Sequence, residues 1–322
     1  MRALVTIGAC YLDTILTVDH YPGEDEKLRA SSISRRRGGN TLNSLEVLQQ
    51  LLDCGPKNVE ARAESMPIYV TSVLPAISSP AIREIEASLG SKIDLQHCIY
   101  REGASEPASS YIFKSMSTGT RTIVNYNELP EMTVSEFVQI AETLPTVLPR
   151  WFHFEGRIPD VTLQCIKYIR QRFPTDKVSV EVEKPGREGL QELAAVADVA
   201  FYSKSWAQKH GYQTPQDFLL SQSPLTPEAS ILCCTWGEQG AACLCKSKME
   251  YIRSPAYTDA QHPVVDTIGA GDTFIAGILY GLIYRENDFT LQRTVDFANR
   301  LAGYKVTREG FEGLGAAMEG YF

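Results

Sequence analysis

The stretch of this chain best suited to chemistry is Asp266-Thr267-Ile268-Gly269-Ala270-Gly271-Asp272-Thr273-Phe274. A short apolar run, Pro263-Val264-Val265, precedes it, and Ile275 to Leu282 follows with the pattern of a buried helix. Gly269-Ala270-Gly271 therefore stands where the chain turns into a helix N-terminus, whose free N–H groups and positive dipole end attract an anion. Gly269 and Gly271 let the backbone approach that anion closely. Asp272, in the first turn, sets a carboxylate beside it. The natural task for such a group is to accept a proton from a hydroxyl that attacks a phosphoryl group. An N-capping Asp ahead of a close-packed glycine turn would give the same letters without chemistry.

The elements that must position this loop alternate. Strand-like runs are expected at 3–8, 68–73, 151–155, 178–182, 199–202 and 231–235. Helical patterns fall at 41–52, 80–89, 134–143, 161–173, 189–197, 214–221, 272–285 and 290–307. Such alternation implies a largely parallel sheet covered on both faces, with ligands outside the C-terminal strand ends. Two regions break the pattern, 11–37 and 98–125, and both read as antiparallel strands; the second turns at Ser117-Thr118-Gly119-Thr120.

The nonapeptide resembles the C-terminal signature of the ribokinase-like (PfkB-type) sugar kinases. Gly38-Gly39-Asn40, with Asn43 beyond, looks like the N-terminal signature of that family, and Asp13 stands where the family places its first sugar-binding carboxylate. Five further stretches resemble the ketohexokinase, or animal-type fructokinase, branch. They are Tyr21-Pro22-Gly23-Glu24-Asp25, Arg121-Thr122-Ile123-Val124, His153-Phe154-Glu155-Gly156-Arg157, Val178 to Pro185 and Gly310-Phe311-Glu312-Gly313. They occur in the expected order and span nearly the whole chain. The resemblance implies an α/β fold of three layers, one kinase domain over 1–322. A small antiparallel β lid, built from 11–37 and 98–126, would cover the sugar and clasp a second lid in a homodimer.

The resemblance also distributes roles. Asp272 would be the base, with Gly269, Ala270 and Gly271 as the anion hole. Asp13, Asp25, Gly39, Asn40 and Asn43 would bind the sugar, for which planar polar groups are well suited. Asp25 in Gly-Glu-Asp-Glu could equally be a solvated turn, and Asn40 a helix cap. For ATP the candidates are Arg121, Arg157, Lys204, Thr235, Trp236, Gly237, Glu238, Gly240, Gly269, Gly271 and Asn299. Arg121 matches a lid arginine that reaches the phosphates, a task that suits a guanidinium fork. Arg157 could instead pair with Glu155 or face solvent. Mg²⁺ is expected with ATP. The Asn-x-x-Glu of many family members is absent near Ser203-Lys204-Ser205-Trp206, so Glu181 and Glu183 are the water-mediated candidates.

Composition sets the bounds. A net charge of −8 argues against nonspecific nucleic-acid binding. No segment approaches the length of a membrane helix, the N-terminus does not read as a signal peptide, and the eight cysteines lack metal or redox spacing, so a cytoplasmic, reducing setting is expected. Arg35-Arg36-Arg37 reads as an exposed basic loop or strand edge, with an anion role conceivable. The Pro-containing stretch 53–67 reads as a surface insertion. The reading is an ATP-dependent ketose kinase making fructose 1-phosphate. The alternatives are a kinase for another sugar or nucleoside, and a catalytically idle sugar- or nucleotide-binding regulator.

Overall fold

The computed structural model describes residues 2–56, 68–90, 92–257 and 263–321. Most of the expected insertion, 57–67, lies outside the described residues. In chain order the strands are β1 (Ala3–Ile7), β2 (Tyr11–Val18), β3 (Ser32–Gly38), β4 (Ile68–Thr71), β5 (Val73–Pro75), β6 (Ile93–Asp94), β7 (Ile99–Arg101), β8 (Ser109–Ser115), β9 (Arg121–Tyr126), β10 (Arg150–Phe154), β11 (Lys177–Val182), β12 (Val199–Tyr202), β13 (Ile231–Thr235), β14 (Ala241–Cys245) and β15 (Glu250–Ser254). The helices are α1 (Asn40–Cys54), α2 (Pro80–Ser88), α3 (Val134–Thr143), α4 (Pro159–Arg172), α5 (Leu190–Val196), α6 (Lys204–Lys209), α7 (Pro215–Gln222), α8 (Ala270–Leu279), α9 (Leu291–Val306) and α10 (Leu314–Ala317). α8 continues as a wider π turn over Tyr280–Tyr284.

Among the described residues nine strands make the main sheet, in the order β15-β14-β13-β12-β11-β10-β1-β4-β6. Pairing is parallel from β6 to β13 and antiparallel through β14 and β15. The central strands are buried on both faces, so every residue of β1 and β10 is buried, the polar Thr6 and His153 included. One face packs on α1, α8, α9 and α10 through Leu45, Leu48, Ile278, Leu301 and Leu314. The other packs on α3, α4, α5 and α7 through Phe137, Ile166, Leu193 and Phe218. The result is the expected three-layer α/β architecture. The antiparallel edge β14–β15 lies beyond the expected strand runs, which end at 231–235.

A second sheet has the order β3-β2-β8-β9. Its two outer pairs are antiparallel, but β2 and β8 run parallel, so the two segments join side by side. The segment 98–126 divides: β7 leaves to pair with β5 in a separate ribbon, and only β8 and β9 enter this sheet. Their turn closes with Ser115 N–H on Thr120 O at 3.0 Å.

The sheet's centre is anchored by a buried ion pair. Arg150 opens β10, and its Nε and backbone N–H each donate to Asp176 at 2.8 Å. Nη1 donates to Ala141 O at 2.9 Å, and the Phe173 ring lies 4.0 Å from the guanidinium. One arginine thus holds the start of β10, the end of α3 and the approach to β11. Removing one partner leaves a buried, uncompensated charge. Asp176→Ala should therefore cost about 3–5 kcal/mol in urea unfolding; a loss below about 1 kcal/mol would refute the anchoring role.

Candidate active site

The carboxyl ends of β10, β11 and β13 open into a cleft of about 440 Å³. This is where an open parallel sheet places its ligands. The opposite wall is one face of the second sheet. Asp13, Ser110 and Asn125 are cross-strand partners and therefore share that face, as do Ile112 and Ile123. All of them line the cleft, together with Arg121.

The floor is the start of α8. Gly269 caps the helix with φ 77°, a left-handed conformation in which a side chain is strained. A Cβ there would also run into the Phe311 ring. Gly271 faces open space, with no atom within 4 Å of where a Cβ would stand. Ala270 N–H bonds back to Thr267 O at 3.3 Å, and the N–H groups that follow it in this first turn lack an intrahelical partner and suit an anion. Asp272 stands next to them. Asn43 Nδ2 donates to its Oδ2 at 2.8 Å, and Ser44 Oγ donates to its backbone carbonyl at 2.9 Å. Burial, then the negative charge of Glu181, holds the Asp272 carboxyl well above the usual range; the Asn43 hydrogen bond pulls it back.

Asn40 begins α1 directly after Gly39, whose φ of 108° and close approach to the Ala9 carbonyl leave no room for a side chain. Asn40 does not cap its own helix. Its Nδ2 donates at 2.8 Å to both Glu181 Oε2 and Glu183 Oε2. Glu181 is buried at the end of β11, and Glu183 is exposed to the cleft. Burial and then the charges of Glu155 and Glu183 push the Glu181 carboxyl well up. Burial pushes the His153 imidazole down to about 3, against the opposing pull of Glu155, so the ring is neutral.

The other expected residues divide. Asp13 lines the cleft; its carboxyl is raised by burial, against Ser110, Arg36 and Arg37. Thr235 also reaches the cleft. Arg157 lines it too, but its guanidinium is engaged by Glu131 at 2.7 Å and by the Tyr11 hydroxyl at 2.7 Å, not by Glu155. The Trp236 ring is buried in the core behind the sheet, so a stacking role against a base does not fit it. Gly237 belongs to a 3-10 turn (Gly237–Gln239) that ends at Gly240. Glu238 pairs with Lys204 at 2.8 Å beside that turn. Asn299 lines a separate depression, where its amide donates to the carbonyls of Ser254 and Pro255. Asp25 sits in an exposed turn with φ 62° and is not among the residues that line the cleft.

Three groups escaped the sequence reading. Arg37 is not an exposed edge: its side chain is 1% exposed, pairs with Glu46 and donates from Nη1 to Asn43 Oδ1 at 3.1 Å. That contact orients Asn43, because arginine can only donate. Lys305 is fully buried and donates to Asp266 Oδ2 at 2.8 Å and to the Asp266 carbonyl at 3.0 Å, fastening the loop ahead of Gly269 to α9. Glu155 accepts from Ala9 N–H at 2.8 Å and fixes the turn after β1. Its place at a strand end in His153-Phe154-Glu155 was the available signal. Among the described residues no three acidic, histidine or cysteine side chains converge to hold a metal directly.

Comparison with known proteins agrees with this geometry. The chain is 30% identical to mouse (Mus musculus) ketohexokinase over 320 residues, covering 97% of this chain and 99% of that protein. Among solved structures, ribokinase from Giardia lamblia superposes with a TM-score of 0.75 at 19% identity, covering 98% of this chain and 96% of that one. Arabidopsis thaliana ribokinase complexed with ribose and ATP superposes with a TM-score of 0.72 at 18% identity, over 96% and 94% of the two chains. The pfkB family carbohydrate kinase pattern matches residues 1–313, and the chain belongs to that family of ATP-dependent kinases.

Proposed function

We propose that this kinase transfers the γ-phosphate of ATP to a primary hydroxyl of a ketose, with fructose giving fructose 1-phosphate. The observation that carries this reading is the meeting of Asp272 and the open first turn of α8 with Asp13 and Asn40 in one cleft. Asp13 and the Asn40 carbonyl offer acceptors to hydroxyls, which favours a neutral polyol. Glu155, Glu181 and Glu183 add negative charge and would repel a sugar acid.

In the reaction, Asp272 accepts the proton of the attacking hydroxyl as its oxygen bonds to the γ-phosphorus and the bond to the β-phosphate oxygen breaks. The N–H groups around Gly269–Gly271 hold the charge that develops on the phosphoryl oxygens. Arg121, on the facing sheet, reaches the phosphates from the other side, and Thr235 and the Gly237–Gly240 turn border the nucleotide. The raised Asp272 carboxyl falls when a cationic neighbour enters, which matches its need to be ionised in the loaded site. The carboxylate crowding fits a bound cation, and Glu181 and Glu183 would hold Mg²⁺ through water. When bound, Mg²⁺ offsets phosphate charge.

The second sheet serves as the lid. Its inner face carries Asp13 and Arg121, and closing it would bring Asp25 toward the sugar. Its outer face is apolar and solvent-facing, with Ile33 63%, Tyr111 46% and Val124 51% exposed. A surface of this kind suits the corresponding face of a second copy, giving a lid-to-lid homodimer. The eight free thiols suit a reducing compartment such as the cytoplasm.

A panel of fructose, other ketoses, ribose, sugar acids and nucleosides, read by ADP release, tests the substrate. Fructose should rank first, with the product phosphorylated at the primary hydroxyl. In the same assay Asp272→Asn should lower kcat by about 10²–10⁴-fold while ATP still binds. A mutant keeping more than about half of wild-type kcat would remove Asp272 from the base role.

Asn43→Leu should move the acidic limb of the kcat/KM profile to higher pH. The base works ionised and is lost as pH falls through its pKa. Losing the Asn43 donor raises that pKa. A limb that stays put would show that Asn43 serves the sugar and not the base.

Hydrogen exchange with and without fructose should show protection rising in 11–37 and 109–126 and staying flat in β1, β10 and β11. Such small outlying strands open locally at low cost. Protection confined to the Gly269–Asp272 turn would mean that the second sheet does not close over the sugar.

A further inference from the structure

A line of hydrogen-bonded polar side chains crosses the sheet face beneath α1 and α8. Trp151 and His153 come from β10, Ser179 and Glu181 from β11, and His153 and Ser179 are direct cross-strand partners. His153 and Ser179 are fully buried and Glu181 nearly so. Polar groups so deep are costly unless each is paired. Here each is paired, and the pairing has a direction.

Indole nitrogen can only donate, so Trp151 Nε1–H donates to Ser179 Oγ at 2.8 Å. Ser179 Oγ lies 2.8 Å from His153 Nδ1, and His153 Nε2 lies 3.2 Å from Glu181 Oε1. Ionised, Glu181 can only accept, which puts the imidazole proton on Nε2. Nδ1 is then an acceptor, and the serine hydroxyl donates to it. Glu181 Oε2 in turn accepts from Asn40 Nδ2, whose other hydrogen goes to Glu183. Both amide hydrogens of Asn40 are therefore spent on protein.

We propose that Trp151, Ser179 and His153 form a one-way hydrogen-bond relay that aims the Glu181 carboxylate and, through it, turns Asn40 so that the substrate meets only its carbonyl oxygen. They are positioning residues: none lines the cleft. The consequence is a selectivity rule. Asn40 demands a hydroxyl that donates, and a substrate group that can only accept is refused at that position. Without the relay the Glu181 carboxylate would lose a donor and rotate, and the Asn40 amide would be free to flip.

The kinetic arm of the test rests on the sugar-kinase reading; the spectroscopic arm does not. In ¹⁵N-labelled protein at pH near 7.5, the His153 ring should show a protonated Nε2 and a bare Nδ1. The opposite tautomer, or a doubly protonated ring, would overturn the relay whatever the substrate. With D-fructose and ATP, His153→Leu should raise the fructose KM about tenfold and leave the ATP KM within about twofold, the size expected for losing one hydrogen bond to a charged group. His153→Gln, whose amide can still donate to Glu181, should recover most of this. Ser179→Ala removes a single oxygen and carries the test if His153→Leu does not fold. In an Asn40→Ala background, His153→Leu should change the fructose KM no further. Additive effects, or equal rises in both KM values, would overturn the proposal. A wild-type protein that leaves fructose untouched would remove the fructose assignment, while the ring tautomer would still decide the relay.

Discussion

Crowded negative charge governs this molecule. Asp272, Glu155, Glu181 and Glu183 meet at the mouth of one sheet, and Asp13 faces them from the second sheet. Carboxylates this close raise one another's proton affinity, and burial adds to the effect. A purely structural protein would neutralise such a cluster with arginines. Here Arg157 is committed to Glu131, Lys305 to Asp266 and Arg187 to the Gly156 carbonyl, while Arg36 stands 4.0 Å from Asp13. Asp272, Glu155 and Glu181 accept their hydrogen bonds from Asn43, from the Ala9 N–H and from Asn40, all neutral donors. The surplus charge remains available to a cationic or proton-bearing ligand.

That arrangement explains the start of α1. The helix opens at Gly39 with no side-chain cap, which is locally unfavourable. The first-turn amides are instead spent across space: Asn40 on β11 and Asn43 on α8, with Ser44 holding the α8 backbone. Three polar residues in five thus weld α1 to both halves of the site. Lost local capping energy is repaid by geometry, because the proposed base Asp272, the first turn of α8 and the Asn40 amide share one helix pair.

The layered fold was legible because its signals are periodic. Leu42, Leu45, Leu48 and Leu52 mark the buried face of α1, and Val178, Val180 and Val182 alternate along β11. Short or direction-dependent features were not legible. β7 has three residues and a parallel partner in β5, so no alternation distinguishes it from the hairpin that follows. The arginine run 35–37 looks like one solvated face, yet strand alternation sends Arg36 toward Asp13 while Arg37 packs beneath α1. Family resemblance located the turn after β13 but not the direction of the Trp236 ring, which tertiary packing decides.

The same limit applies to Asp266, which opens the nonapeptide yet was assigned no role. Its carboxyl is raised by burial but held below the usual range by the hydrogen bonds from Lys305 and Ile268 N–H. Its carbonyl takes a third contact from the same ammonium. Lys305 lies 39 residues further along the chain, in the last turn of α9, so no local pattern could pair the two. The pairing matters to the proposed anion-binding turn, because Thr267 is exposed and Ile268 and Gly269 are only half-buried, so the loop has little packing of its own. Phe311 fills the space against Gly269 and lies 5.5 Å below the Lys305 ammonium. The turn is therefore preset by a buried cation and an aromatic ring from the C-terminal region. Its N–H groups need no rearrangement to meet an anion, which is what electrostatic stabilisation of a transferring phosphoryl group requires.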